Sequence, residues 1–263
     1  MDARVSESGT QAIRRAGAIL RAIARFGPGG ARLIDLSQTV GLARPTTHRI
    51  VSGLIAEMMV VQNARTKRYQ LGPLIFELGL ATIQRSTLPE ICRPALRRLA
   101  ELTQDTVYLV VRSGFDVVCL DRAEGTSPIR VVTLDIGGRR PLGLGAGGVA
   151  LLATYPDDEV RQVIDHHCGS GPSHAGVTPE MLWNSVAEAR REGCGRNQES
   201  MSPGISGIGA AIPTDGDRMF AAISIACIAE RMTKQRSGEL CALLHREVAD
   251  LAKQIDAAAR SQA

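Results

Sequence analysis

Aromatic residues are scarce in this chain: one Trp, three Tyr and four Phe among 263 residues. A protein that grips single-stranded nucleic acid on stacked aromatic platforms needs more, so that class is excluded. No apolar run reaches the length needed to cross a bilayer, which leaves no membrane partner. No Cys-x-x-Cys pair exists. The six cysteines, Cys92, Cys119, Cys168, Cys194, Cys227 and Cys241, are scattered. A chain this long does not need disulfide staples, so all six are expected to be reduced, mostly buried thiols. The first ten residues are polar and contain acids, unlike a secretory leader, so a cytoplasmic location is expected. Repeats and low-complexity tracts are also lacking.

Two further absences concern chemistry. Asp165-His166-His167-Cys168 with His174 offers zinc-type side chains, but adjacent histidines on one helix diverge and no cysteine pair completes a tetrahedral set. No metal and no cofactor is expected. Ser206 stands in Gly204-Ile205-Ser206-Gly207-Ile208, which is not a nucleophile elbow because residue 208 is Ile. With no nucleophile–base pair in view, the chain is not expected to be an enzyme.

Charge is present, and unevenly placed. Residues 1–72 hold 11 Lys and Arg against 4 Asp and Glu, a net +7, while the remainder holds 20 against 23, a net −3. A basic end joined to a near-neutral body is the footprint of a nucleic-acid-binding domain attached to something else.

The hydrophobic pattern supports that division. Gln11 to Phe26 has apolar residues at helical spacing and stops at Gly27-Pro28-Gly29-Gly30. A short helix, about Leu33 to Val40, breaks at Gly41, and a third starts near Arg44-Pro45, where proline's missing N–H costs nothing. Two short helices around a tight glycine turn describe a helix-turn-helix. Val60-Val61-Gln62 and Arg68 to Gly72 flank a basic turn, so a β-hairpin, or wing, follows. Helices are expected over Pro73 to about Arg85 and about Glu90 to Leu102, with the domain link in the first.

Beyond this, strands are expected at 107–112, 117–121, 129–134, 208–213 and 220–226, with a loop at 137–141. Helices are expected at 147–154, 157–168, 179–192 (capped by Thr178) and 237–259. Hairpin-joined strands with helices between them predict an α+β domain built on an antiparallel sheet. The domains therefore read as 1–72 winged helix-turn-helix, 73–88 linker helix and 89–263 effector-binding and oligomerisation domain.

The stretch from Leu36 to Ile50, LSQTVGLARPTTHRI, resembles the helix-turn-helix of the IclR family of bacterial transcription regulators. Tyr69-Gln70-Leu71-Gly72 is similar to that family's wing exit. Arg140-Pro141-Leu142 followed by Gly145 to Ala153 is similar to its effector-domain loop and helix, and Gly204 to Pro213 with Ala221 to Ile225 to its late strands. The motifs span the chain in the expected order. The resemblance implies a C-terminal domain of GAF-like fold, and homodimers that often pair into tetramers.

In a helix-turn-helix the N-terminal part of the second helix enters the major groove. Here that part is Arg44, Pro45, Thr46 and Thr47, with His48 and Arg49 a turn on. Arg44 and Arg49 suit either guanine or phosphate. Thr47 lies on the apolar face and suits either core or DNA. Arg65, Lys67 and Arg68 on the wing would meet the backbone or minor groove. A two-fold dimer implies a pseudo-palindromic operator in double-stranded DNA.

Gly143-Leu144-Gly145-Ala146-Gly147-Gly148 formally matches a dinucleotide fingerprint, but no hydrophobic strand precedes it. It reads better as a loop opening a helix whose free N–H groups face a cavity and favour a carboxylate. The resemblance places effector contacts on the amides of Ala146 and Gly147, on Asn197 where the family has an acid, with Glu199 just beyond, and on Ser224 and Ala226, of which only the serine keeps the family's hydroxyl. Gly207 stands where the family often has a cysteine. Leu142, Leu144 and Met201 would supply apolar wall. Losing an acid and a hydroxyl argues against a small, fully polar keto acid and for a larger carboxylate, aromatic ones included. The expected function is a DNA-binding regulator, a repressor before an activator, that responds to such an acid. The alternative is a ligand-binding or hydrolytic enzyme domain on a DNA-binding arm.

Overall fold

The computed structural model describes residues 5–83, 88–168, 177–197, 203–213 and 221–261. The chain divides into two units, Met1–Ser86 and Thr87–Ala263.

In the first unit, helix α1 (Val5–Arg25) packs on α2 (Leu33–Val40) and α3 (Arg44–Ala56). Asp35 starts α2: its carboxylate accepts the Arg32 N–H at 3.1 Å and pairs with the Arg32 guanidinium at 2.8 Å. Gly41 ends α2 in the left-handed conformation (φ 64°, ψ 30°) and turns the chain into α3. Ile19, Ile23, Leu36, Val51 and Leu54 form the core beneath. Strands β1 (Val60–Gln62) and β2 (Tyr69–Leu71) pair antiparallel. Asn63 shapes their turn, its side-chain oxygen accepting from the N–H of Arg65 and Thr66. Helix α4 (Pro73–Ile83) completes the unit. Helices α2 and α3 and strands β1 and β2 fall where the sequence pattern put them, while α1 begins at Val5 and not near the expected Gln11.

The second unit is a six-stranded antiparallel sheet. In chain order its elements are α5 (Leu88–Thr103), β3 (Thr106–Ser113), β4 (Asp116–Ala123), β5 (Arg139–Pro141), α6 (Ala146–Leu152), α7 (Asp157–Cys168), α8 (Pro179–Glu192), β6 (Gly195–Arg196), β7 (Ile205–Ala211), β8 (Ala221–Ile228) and α9 (Lys234–Ser261). The strand order is β5-β4-β3-β8-β7-β6. Helices α5 and α9 cover one face through Leu96, Leu99, Ile223, Leu244 and Leu251. Over the other face lie α6, α7 and α8, in a core with Val110, Leu151, Val163 and Leu182. Two glycines let α6 sit directly on the strands. A Cβ at Gly195 would lie 2.3 Å from the Ala150 nitrogen, and one at Gly209 2.9 Å from Ala146 backbone. Thr178 caps α8 by accepting the Met181 N–H at 3.2 Å.

Three expectations need correction. Residues 129–134 form no strand: Val131 and Thr133 instead bond the Tyr108 hydroxyl, and Ile129 and Val132 stand exposed. The expected loop at 137–141 contains β5, which pairs with β4 from Asp116↔Pro141 to Val118↔Arg139. The cysteines are not all reduced, because Cys194 and Cys241 are joined, while Cys92, Cys119, Cys168 and Cys227 are free.

Candidate DNA-binding face and effector cavity

Helix α3 presents Arg44, Pro45, His48 and Arg49 to solvent, with Thr46 half-buried beside them. Proline in the first turn and the Gly41 break fix where this face begins. The side chains of Arg44, Arg49, Arg65 and Lys67 make no ion pair and no side-chain hydrogen bond within the described residues. Their charge is available to a phosphate or a base edge.

Two residues expected at this interface do other work. Thr47 is fully buried, and its hydroxyl donates to the Ala43 carbonyl at 3.2 Å. Of the two roles the sequence allowed, it takes the core one. Arg68 is half-buried and donates through Nη1 to the Gly30 carbonyl at 2.9 Å, which ties the wing to the turn after α1.

In the second unit a small cavity of about 50 Å³ opens between α6 and the sheet. Leu144, Ala146, Gly147, Asn197, Ser224 and Ala226, all expected effector contacts, line it. Leu142 does not. It is fully buried in the core shared with α7 and α8. Glu199 and Met201 lie outside the described residues, as does His174.

The cavity also contains groups that were not foreseen: Tyr108, Thr133, Ser206 and, above all, Arg140. Strand alternation splits the arginine doublet. Arg139 bonds Asp116 at 3.0 Å, whereas Arg140 bonds the Thr133 carbonyl at 2.9 Å and lies against the turn that opens α6, where a Cβ on Gly145 would sit 2.7 Å from its Nη1. Burial lowers the pKa of the Arg140 guanidinium. No carboxylate among the described residues pairs with it. The doublet could have revealed this, had 139–141 been read as a strand.

Asn197 supplies the complementary group. Its amide nitrogen donates to the Ile205 carbonyl at 2.9 Å, which fixes the amide orientation. The oxygen, Oδ1, is buried and accepts no hydrogen bond from the described residues. An unpaired buried acceptor is costly, by about 1–3 kcal/mol. The Ser224 hydroxyl is close by, 3.2 Å from where a Gly147 Cβ would be, and Gly147 thus leaves room for it. Val110, Val117, Leu134 and Leu144 form apolar wall. The cavity wall thus offers a half-buried cation, a bare acceptor and hydrocarbon.

The histidines that suggested zinc ligands are engaged locally. His166 stacks on Phe115 with ring centroids 4.1 Å apart, and His167 Nε2 lies 2.6 Å from the Phe115 carbonyl.

A winged helix-turn-helix with a basic exposed face, joined to a sheet domain that holds a cavity, defines the class of one-component, ligand-responsive transcription regulators. Comparison with known proteins fixes the family. Residues 12–64 match the IclR helix-turn-helix domain, and residues 80–257 match the bacterial transcriptional regulator IclR C-terminal domain. The chain belongs to the IclR family of transcription regulators. It is 30% identical over 257 residues to the HTH-type transcriptional repressor AllR of Salmonella typhimurium, covering 96% of this chain and 91% of that protein. It is 28% identical over 219 residues to the transcriptional repressor IclR of Escherichia coli K12, covering 82% and 80%. The same fold occurs in an IclR-family regulator from Brucella abortus (TM-score 0.74, 20% identity, 97% of each chain). It occurs also in an IclR homologue from Microbacterium hydrocarbonoxydans complexed with 4-hydroxybenzoate (TM-score 0.68, 20% identity, 94% of this chain and 99% of that one).

Proposed function

We propose that this regulator is a cytoplasmic repressor that is released from, or tightened on, its operator by an organic carboxylate carrying a hydrogen-bond donor. The observation that carries this reading is Arg140, a half-buried cation in the cavity wall with no carboxylate partner among the described residues. An anion compensates a desolvated guanidinium, and a hydroxyl or amine on the same ligand satisfies Asn197 Oδ1. Apolar wall in the same cavity favours a carbon skeleton such as a ring. The repressor names of the relatives and the 4-hydroxybenzoate of one structural neighbour agree with this reading.

Residues 1–72 would carry the DNA contacts, 73–88 the link and 89–263 the effector site. Arg44, Pro45, Thr46, His48 and Arg49 would read the groove, with Arg65 and Lys67 on the backbone. The protein would act as a homodimer on a pseudo-palindrome. Phe76 and Leu78 on α4 stand 68% and 51% exposed, which is the kind of apolar surface a second copy covers.

Titration calorimetry with 4-hydroxybenzoate and its neutral isostere 4-hydroxybenzamide tests the site. The acid is expected to bind, the amide to bind far more weakly, and Arg140→Gln to weaken the acid by roughly 10- to 100-fold, the loss of one charge-assisted contact of about 1.5–3 kcal/mol. Equal binding of acid and amide would overturn the carboxylate reading.

A further inference from the structure

The joined pair Cys194–Cys241 lies apart from the effector cavity and belongs to none of the roles above. Cys194 directly precedes β6 and is 1% exposed, while Cys241 is half-buried on α9. His245, one turn along α9, brings Nε2 to 3.5 Å from the Cys194 sulfur and 4.0 Å from the Cys241 sulfur, and to 2.9 Å from the Gly193 carbonyl. Gly193 makes this approach possible. It ends α8 at φ 77°, and a Cβ there would lie 2.8 Å from the His245 ring. A cleft of about 460 Å³, walled in part by Gly193, Gly195 and His245, gives solvent access to the imidazole side of the pair.

The free cysteines are different. Burial pushes the thiols of Cys92, Cys119 and Cys227 up to about 12, about 11 and about 11. Thiols of that kind stay protonated near neutrality and are inert. Among the described residues, only the Cys194–Cys241 pair combines two sulfurs within bonding reach, an adjacent imidazole and an open cleft.

We infer that Cys194 and Cys241 form a reversible modification site for hydroperoxides, assisted by His245 and acting on the strand that leads to Asn197. In the reduced protein His245 takes the Cys241 proton, and the Cys241 thiolate attacks one peroxide oxygen. The O–O bond breaks, the alkoxide or hydroxide leaves with the proton from His245, and Cys241 becomes a sulfenic acid. Cys194, deprotonated in turn by His245, attacks that sulfur. The S–O bond breaks, hydroxide takes up the proton and leaves as water, and the disulfide forms. The net change is two thiols and one hydroperoxide to one disulfide, one alcohol or water, and one water. A dithiol reductant reverses it by exchange, itself becoming a disulfide.

The consequence runs along four consecutive residues. Cys194 leads into Gly195, whose backbone rests on α6, then Arg196, then Asn197 with its bare acceptor in the cavity. The disulfide ties the start of this strand to α9, and its reduction removes that tether. The inference does not depend on the effector's identity, and its test uses none.

The full-length protein, reduced with dithiothreitol and desalted without air, is given one equivalent of hydrogen peroxide near neutral pH, then alkylated and mapped by mass. The expected product is the Cys194–Cys241 cross-linked peptide with Cys92, Cys119 and Cys227 alkylated, and dithiothreitol is expected to restore both thiols in the folded protein. His245→Gln should slow cross-linking roughly 10- to 100-fold. Cys194→Ser should trap a dimedone-reactive sulfenic acid on Cys241, and Cys241→Ser should give none on Cys194. Amide exchange over 194–197 and 146–150 should be faster in the reduced form and in the Cys194→Ala/Cys241→Ala double variant. The inference is overturned if peroxide gives no cross-link, if the His245 variant reacts at the normal rate, or if exchange is the same in both forms. It is equally overturned if the double variant fails to fold, which would make the bond structural, or if the reduced protein carries one zinc ion that Cys194→Ser abolishes.

Discussion

Both units hold arginine with no carboxylate partner among the described residues, yet in opposite settings. On α3 and the wing, Arg44, Arg49, Arg65 and Lys67 are exposed and spread over a surface. In the effector unit one arginine, Arg140, stands half-buried in a cavity wall. Many hydrated cations suit a polyanion whose charges are spaced along a rod, where affinity comes from released counterions. A single half-buried cation suits one small anion, where selectivity comes from the cost of leaving either charge unpaired.

Salt should separate the two most widely. If a dimer neutralises about 6–10 phosphates, operator affinity should fall about 10³- to 10⁵-fold between 50 and 200 mM salt. Binding of 4-hydroxybenzoate should barely change over the same range, because buried pairs are screened far less than exposed ones. Fluorescence anisotropy for DNA and calorimetry for the acid, on one preparation, check this. Equal salt slopes would erase the contrast.

Leu142 sharpens it from the side of stability. Leu142→Ala removes a fully buried side chain beside Leu151 and Leu182 and should cost about 2–5 kcal/mol in urea unfolding. Leu144→Ala, on the cavity wall, should act more on effector affinity than on the unfolding midpoint. The reverse ranking would mean that the two leucines are assigned the wrong way round.

On the DNA side, Arg44→Ala and Arg49→Ala should each cost about 1–3 kcal/mol of discrimination if they pair with guanine. If they hold phosphate, each should weaken all sequences alike and lower the salt slope by about one. Thr47→Val separates a packing role from a contact: it should leave operator preference unchanged, since the Thr47 hydroxyl is spent on the Ala43 carbonyl.

The same two regions show what a sequence can disclose. The first unit was readable nearly throughout, because its signals are local: Gly41 and Pro45 fix a turn and a helix start, and β1 and β2 flank a turn of their own. In the second unit the long helices were equally plain, Thr178 and its cap included. The edge strands were not. β5 and β6, with three and two residues, are too short for alternation to register. Residues 129–134 misled through composition, since Ile129 and Val132 are β-formers left in solvent. Within the cavity, residues on the recognisable glycine loop were found. Arg140 was not, since its inward aim depends on the pairing of β5. The Cys194–Cys241 bond joins residues 47 apart, and nothing in their spacing announces it.

The smallest expected effect concerns acid, and it belongs to the DNA-binding unit. The Arg32 guanidinium beside Asp35 holds that carboxyl below its ordinary range. A carboxyl whose folded value lies below its unfolded value adds stability above the unfolded value, about 3.9, and loses it as pH falls through the folded one. The start of α2 should therefore loosen in acid below about pH 4, where the Asp35 proton removes both the ion pair and the acceptor for the Arg32 N–H. Asp35→Asn should remove this portion of the pH dependence while keeping an oxygen that can still accept that N–H. Amide exchange at residues 32–36 across the acid range reads it directly. An identical acid response in the unsubstituted protein and in the Asp35→Asn variant would show that the ion pair contributes nothing to the start of the helix.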